Sequence, residues 1–358
     1  MRTLSRRALN RATLARQLLL ERAGLDPLQA TEHLVGLQAQ TPHTWYVGLW
    51  SRITRCSTAD IAALLTSRAA VRIALMRSTV HFVSAADALA LRPLVQPALD
   101  RDLFRNQSHG RWMTGLDTAA VVEAGRKLLA ERPLTPAELG AALLERWPDN
   151  NAAALAYAVR NLLPVVQTPP RGVWGRGGRT AHAPLEEWVG APLRAMGPAE
   201  LVRRYLGAYG PATVRDVQTW CGLTRLAEVV DGMELVRFAD GYVDLPDAPR
   251  PDPDVPAPVR YLYDFDNLLL SHHDRSRFVT GQFRSRAVTP HGPVPRPILI
   301  DGMTAGTWTI DKATLTVRLF VRVTPADEET LVAEGMDLIT FHGVKGTPDV
   351  RIARTVSG

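Results

Sequence analysis

The sequence has no run approaching the roughly eighteen consecutive apolar residues of a membrane-spanning helix. It has two cysteines, Cys56 and Cys221, too far apart to make a local metal or redox motif. With no secretory signal at the N-terminus, a reducing cytoplasm is the expected compartment. The common catalytic signatures are also missing. There is no Walker loop, no Gly-x-Gly-x-x-Gly after a strand, no His-Glu-x-x-His and no Gly-x-Ser-x-Gly. Zinc-finger spacing of Cys and His is absent, so neither a metal nor a cofactor is expected. These gaps count against nucleotide hydrolysis, dinucleotide redox chemistry, zinc proteolysis and serine hydrolysis. Lysine is scarce too: Lys127, Lys312 and Lys345 are the only ones, and the rest of the 42 cationic residues are arginines.

What is present is an ordinary globular composition, 46% apolar over 358 residues, long enough for two to four units. The net charge is +6. A planar guanidinium suits phosphate, so nucleic acid is an open option on charge alone. The segment from Met1 to Arg22 is Arg-rich with no acid before Glu21. It reads as a first amphipathic helix with Leu14, Leu18 and Leu19 on one side, rather than a transit peptide.

Helical spacing runs over Thr13–Ala23 and Leu28–Leu37, and Ser57 opens a helix before Ile61. A basic, β-prone stretch follows over Val71–Val83. From Asp117 the order is three helices and then a hairpin. Thr135-Pro136-Ala137-Glu138 has the form of a capping box, and Val165–Gln167 and Val173–Gly175 read as the two strands. The order repeats from Gly197. Thr213-Val214-Arg215-Asp216 is a second cap, Leu223–Val230 reads as a recognition-like helix, and a hairpin turns at Asp240-Gly241. Three helices and a hairpin is the plan of a winged helix-turn-helix. After the Pro/Asp-rich linker 246–258, strands are expected at Val259–Tyr263, Leu268–Leu270, Ile298–Asp301, Ala305–Ile310 and Thr314–Val323, with a helix over Ala326–Gly335. The expected fold class is α+β: three tandem winged helix-turn-helix units (1–115, 116–195, 196–250) and a β-rich, barrel-like C-terminal domain (251–358).

Two segments could carry chemistry. Gln38-Ala39-Gln40 puts two carboxamides around one small residue; the plain alternative is a helix end capping itself. The segment from Asp264 to Arg277 gathers acids, His272, His273, Arg275 and Arg277 around an apolar run. It could clamp a phosphate or be a salt-bridged surface loop.

Several motifs together resemble the winged-helix DNA glycosylase family typified by AlkZ. They are Gly36-Leu37-Gln38-Ala39-Gln40, Gly48-Leu49-Trp50, Met76 to Val83, Arg204-Tyr205-Leu206 and Gly210-Pro211-Ala212-Thr213. Phe265 to His272, Asp274-Arg275, Asp301-Gly302 and Gly306-Thr307-Trp308 complete the set, in the same order along nearly the whole chain. The resemblance implies a C-shaped clamp on double-stranded DNA, with Gln38 and Gln40 catalytic. It implies that His272, Asp274 and Arg275 meet the DNA backbone near the lesion; Arg77 and Arg277 are further DNA-binding candidates. A related branch has Gln-x-Asp. Gln40 places this chain nearer the branch that includes self-resistance enzymes of producers of DNA-alkylating natural products.

The expected function is therefore monofunctional hydrolysis of the N-glycosidic bond of cationic alkylated purines, of the N7-alkylguanine class, leaving an abasic site. Bulky adducts and interstrand crosslinks are the extended range. The expected form is a monomer, without a membrane, on nucleoid DNA. Two alternatives are a non-catalytic winged-helix transcriptional regulator and a protein that sequesters a DNA-damaging drug around Trp45, Tyr46, Trp50 and Trp112.

Overall fold

The computed structural model describes residues 3–287 and 294–354. Its helices begin where the sequence places caps. Ser5 opens Arg6–Arg16, Ser57 opens Thr58–Thr66, Asp117 opens Thr118–Glu131 and Asn151 opens Ala152–Leu162. Each cap side chain accepts a backbone N–H of the first turn. Complete capping boxes stand before Pro136–Leu144 and Val214–Cys221. The first helix lies earlier than its apolar spacing suggests, because Ser5 starts it and the chain leaves helical geometry at Leu18, which takes positive φ. The recognition-like helix shrinks to Ala227–Asp231. Among the described residues no helix is long and apolar enough to cross a membrane.

The first sheet contains β1 (Leu37–Gln38), β2 (Ala70–Ala74), β3 (Val80–Ser84), β4 (Val165–Gln167) and β5 (His182–Pro184). They are ordered β1-β3-β2-β4-β5 with every pair antiparallel. The hairpin expected between Val165–Gln167 and Val173–Gly175 is thus paired differently. β4 takes β5 as partner, and Val173–Gly175 lies in turns. Two prolines, Pro169 and Pro170, remove N–H donors after β4, and Trp174 turns its own N–H to Tyr46 Oη at 3.2 Å. A separate ribbon pairs β6 (Val236–Arg237) with β7 (Val243–Asp244).

The C-terminal sheet contains β8 (Arg260–Tyr261), β9 (Pro297–Ile300), β10 (Met303–Asp311), β11 (Thr314–Leu319) and β12 (Asp349–Arg354). Its order is β12-β11-β10-β9-β8, so among the described residues it is an open sheet and the barrel expectation is corrected. β12 runs parallel to β11, which requires a crossover; the helix Pro325–His342 supplies it. Leu268–Leu270 is not a strand. The Asp266 side chain accepts Leu268 N–H and closes a 3₁₀ turn at Asn267–Leu269.

Side chains alternate across β3, so Phe82 and Val83 enter different cores. Val83 joins Ile73, Leu75, Tyr205 and Trp220. Phe82 joins Trp45, Tyr261, Trp308 and Leu338. β3 is therefore packed on both faces. Buried arginines tie distant segments together. Arg16 makes a two-point pair with Asp244 at 2.6 and 2.8 Å, and Arg52 one with Asp266 at 2.8 and 3.0 Å.

Candidate active site

Gln38-Ala39-Gln40 is not a helix end: Gln38 closes the short strand β1, and Gln40 lies in the bend that follows. The helix Pro27–His33 stops because Val35 and Gly36 take positive φ, 55° and 88°. Glycine is required at 36 on a second ground: a Cβ there would lie 2.3 Å from Val83 Cγ1. β1 then pairs with β3, with Leu37 opposite Phe82 and Gln38 opposite His81. Ala39 N–H extends the ladder to Val80 O at 2.7 Å. Leu37 and Ala39 enter the core that holds Phe82, and strand alternation turns Gln38 away from it. Gln38 is buried and Gln40 is exposed.

Two arginines hold this tripeptide. Arg72, fully buried in β2, donates from Nη2 to Ala39 O at 2.7 Å. Burial, then the charge of Arg171, pushes Arg72 down to about 10. Arg77 donates from Nη2 to Gln38 Oε1 at 2.6 Å and from Nη1 to Trp220 O at 2.6 Å. Gln40 Oε1 accepts Val80 N–H at 3.4 Å, a long bond that leaves most of its acceptor capacity free. His81 donates from Nδ1 to Thr79 O at 2.9 Å. Burial, then Arg77, pushes His81 down to about 3, so it is neutral at physiological pH.

The Asp264–Arg277 segment is anchored from below. Asn267 Nδ2 reaches Gly36 O at 3.4 Å, and Asp266 holds Arg52, joining the loop to the tripeptide's side of the molecule. His272 is buried and donates from Nε2 to Tyr209 O at 3.0 Å; burial, then Arg277, pushes it down to about 3. Arg277 is 2% exposed and donates to Pro211 O at 2.9 Å and Thr13 Oγ1 at 3.2 Å. Asp274 is exposed, and its carboxylate accepts Ser276 N–H at 2.8 Å and Ser276 Oγ–H at 3.0 Å, which hold it below the usual carboxylate range. Arg275 is exposed on the wall of a groove of about 870 Å³, with Phe265, Leu269, Phe283 and Arg284. Partial burial and the charge of Arg284 lower its pKa.

The structure thus joins Gln38 to Arg77 directly, and Arg77 feels the charge of Arg275. Among the described residues no hydrogen bond joins either glutamine to His272, Asp274 or Arg275. Arg72, Arg52 and Asp266 were missed as site supports. Their signal in the sequence is faint: Arg72 stands among apolar residues inside a β-prone run, where a charged residue needs a partner. Among the described residues no group of three or more His, Cys, Asp or Glu is placed to hold a metal ion.

Chemically, the site offers two neutral amides separated by one residue, one buried at the end of β1 and one exposed in the bend after it. Neither amide titrates. A family model described as DNA glycosylase AlkZ-like matches residues 31–341. The structure is similar to that of Streptomyces sahachiroi DNA glycosylase AlkZ, with a TM-score of 0.76 and 19% identity, covering 98% of this chain and 100% of that one. No curated protein sequence matches significantly.

Proposed function

The chain belongs to the AlkZ-like DNA glycosylase family, and from that premise we propose that it removes purines made cationic by alkylation, N7-alkylguanine first among them. One observation carries the choice of substrate: the paired side chains of the tripeptide are carboxamides, Gln38 and Gln40. Glycoside hydrolysis ordinarily uses a carboxylic acid to protonate the leaving group and a carboxylate against the oxocarbenium-like sugar. An amide supplies neither. It suffices where the leaving base already carries the positive charge. The water oxygen bonds C1′ of the deoxyribose, and the C1′–N bond breaks with its electron pair neutralising the purinium. One proton is released to solvent.

Arg275, exposed on the groove wall, is the proposed phosphate contact, with Asp274 shaping its turn. His272 and Arg277 are proposed to serve the DNA backbone from beneath, by fixing that turn on Tyr209 and Pro211. The reading includes three tandem winged-helix units (1–115, 116–195, 196–250) and a C-terminal unit (251–358), arranged as a C-shaped clamp on double-stranded DNA. It also includes a monomer acting on nucleoid DNA in the cytoplasm, with bulky adducts and crosslinks in its range.

The test is leaving-group charge. Duplexes carrying one N7-methylguanine, one hypoxanthine or no lesion are incubated with excess enzyme and then cleaved with alkali. Strand cleavage only for N7-methylguanine is expected. Equal release of hypoxanthine, a neutral base, would contradict the proposal.

A further inference from the structure

A carboxamide can present either end to a partner, but a guanidinium only donates. At 2.6 Å from Arg77 Nη2, the Gln38 side chain must present its oxygen. That leaves Gln38 Nε2, with its two N–H donors, as the end available for substrate. We infer that Arg77 is a positioning residue that makes Gln38 the donor of the pair and leaves Gln40 as the acceptor. The inference rests on the reading of Gln38 and Gln40 as the catalytic pair. A water between them accepts from Gln38 Nε2–H and gives a proton toward Gln40 Oε1, so its lone pair has a defined direction. The two glutamines are then not interchangeable.

Arg77 is built to stay where it is. Its second guanidinium nitrogen is bonded to Trp220 O at 2.6 Å, at the end of the helix Val214–Cys221. Its backbone and that of Ser78 both take positive φ, 57° and 60°, which side-chain-bearing residues adopt only when the surroundings enforce it. Those surroundings are explicit. Arg160 Nη2 donates to Ser78 O at 2.9 Å, and Ser78 Oγ–H donates to Asp102 Oδ2 at 2.8 Å. Gly222 packs its Cα against the same turn: a Cβ there would lie 3.3 Å from Arg77 N. To reach a phosphate, Arg77 must break two short bonds and abandon this cradle. An exposed DNA-binding arginine has no such constraint.

Single-turnover rates on the N7-methylguanine duplex, measured with saturating enzyme alongside DNA Kd, test the assignment. Arg77→Met is expected to slow base release about tenfold to hundredfold, with Kd changed less than about twofold. Arg77→Lys, which keeps a donor, is expected to recover part of the rate. In a Gln38→Ala background Arg77→Met is expected to cost nothing further, because it acts through Gln38. Gln38→Glu, whose carboxylate pairs with Arg77 and donates nothing, is expected to lose about tenfold or more. Arg77→Lys and Gln38→Glu decide the matter where Arg77→Met does not fold, as judged by thermal unfolding. A full rate loss from Arg77→Met in the Gln38→Ala background, or a loss falling on Kd with a shallower salt dependence, would overturn the assignment in favour of a phosphate contact. Gln38→Ala as fast as wild type would remove the catalytic reading itself.

Discussion

The Gln38–Gln40 segment at the end of β1 and the Asp264–Arg277 loop are secured in opposite ways. β1 is laddered to β3, which has a core on each face, and Arg72 holds Ala39 O while Arg77 holds the buried Gln38 side chain. The loop is irregular. It is pinned from beneath by His272 and Arg277, while Arg275, two residues from Arg277, stays exposed. Rigid placement is what amides require, since they have no charge to work with and depend on geometry. Freedom to adapt suits a side chain that meets a DNA phosphate. The comparison also reinterprets the arginine content. Arg16, Arg52, Arg72 and Arg277 are buried and internally bonded, so much of the basic composition serves the fold.

The largest expected effect comes from the buried pair that anchors the loop from beneath. Arg52→Met leaves Asp266 as an unpaired buried charge and is expected to cost about 3–5 kcal/mol in urea unfolding. A cost near zero would mean that the loop does not depend on this pair for its anchorage. Next, Arg72→Met removes the donor to Ala39 O and is expected to destabilise by about 1–3 kcal/mol, with slower base release. A normal release rate in that variant would mean the strand needs no clamp. In the loop, Arg275→Ala is expected to weaken DNA binding. It should lower the slope of log K against log [salt] by about 0.9, the value for one phosphate contact. An unchanged slope would move the contact elsewhere. The effect that is smallest at neutral pH is that of two buried histidines, which emerges only as pH falls. His81 and His272 are held neutral, with pKa values pushed down to about 3 from the ordinary 6.5. The unfolded chain therefore binds more protons between those values. Stability is complete above about pH 6.5 and falls as pH drops toward 3, by up to about 1.4 kcal/mol per unit for each histidine. His81→Phe is expected to flatten that slope.

Much of this was legible from the chain, and the split is physical. Helix starts were legible because a cap is local: Ser57, Thr135 with Glu138, and Thr213 with Asp216 act within one turn of themselves. Pairings across long gaps were not. β5 reaches β4 over a Pro/Gly-rich turn, and β12 returns beside β11 only after a helix. The tripeptide could be named from its two glutamines and its motif context. That it begins on a strand depended on two positive-φ residues, Val35 and Gly36, and on a partner strand some forty residues on. The inward aim of Arg72 and Arg77 was out of reach for the same reason: their partners, Ala39, Gln38 and Trp220, lie on other elements.

The most direct test of the central claim compares wild type with Gln38→Ala/Gln40→Ala on a duplex carrying one N7-methylguanine, in single turnover, with DNA affinity measured for both. Abasic product from wild type alone, at similar affinity, is the predicted result. Abasic product formed equally fast by the double variant, or none from wild type bound to the lesion duplex, would contradict the account.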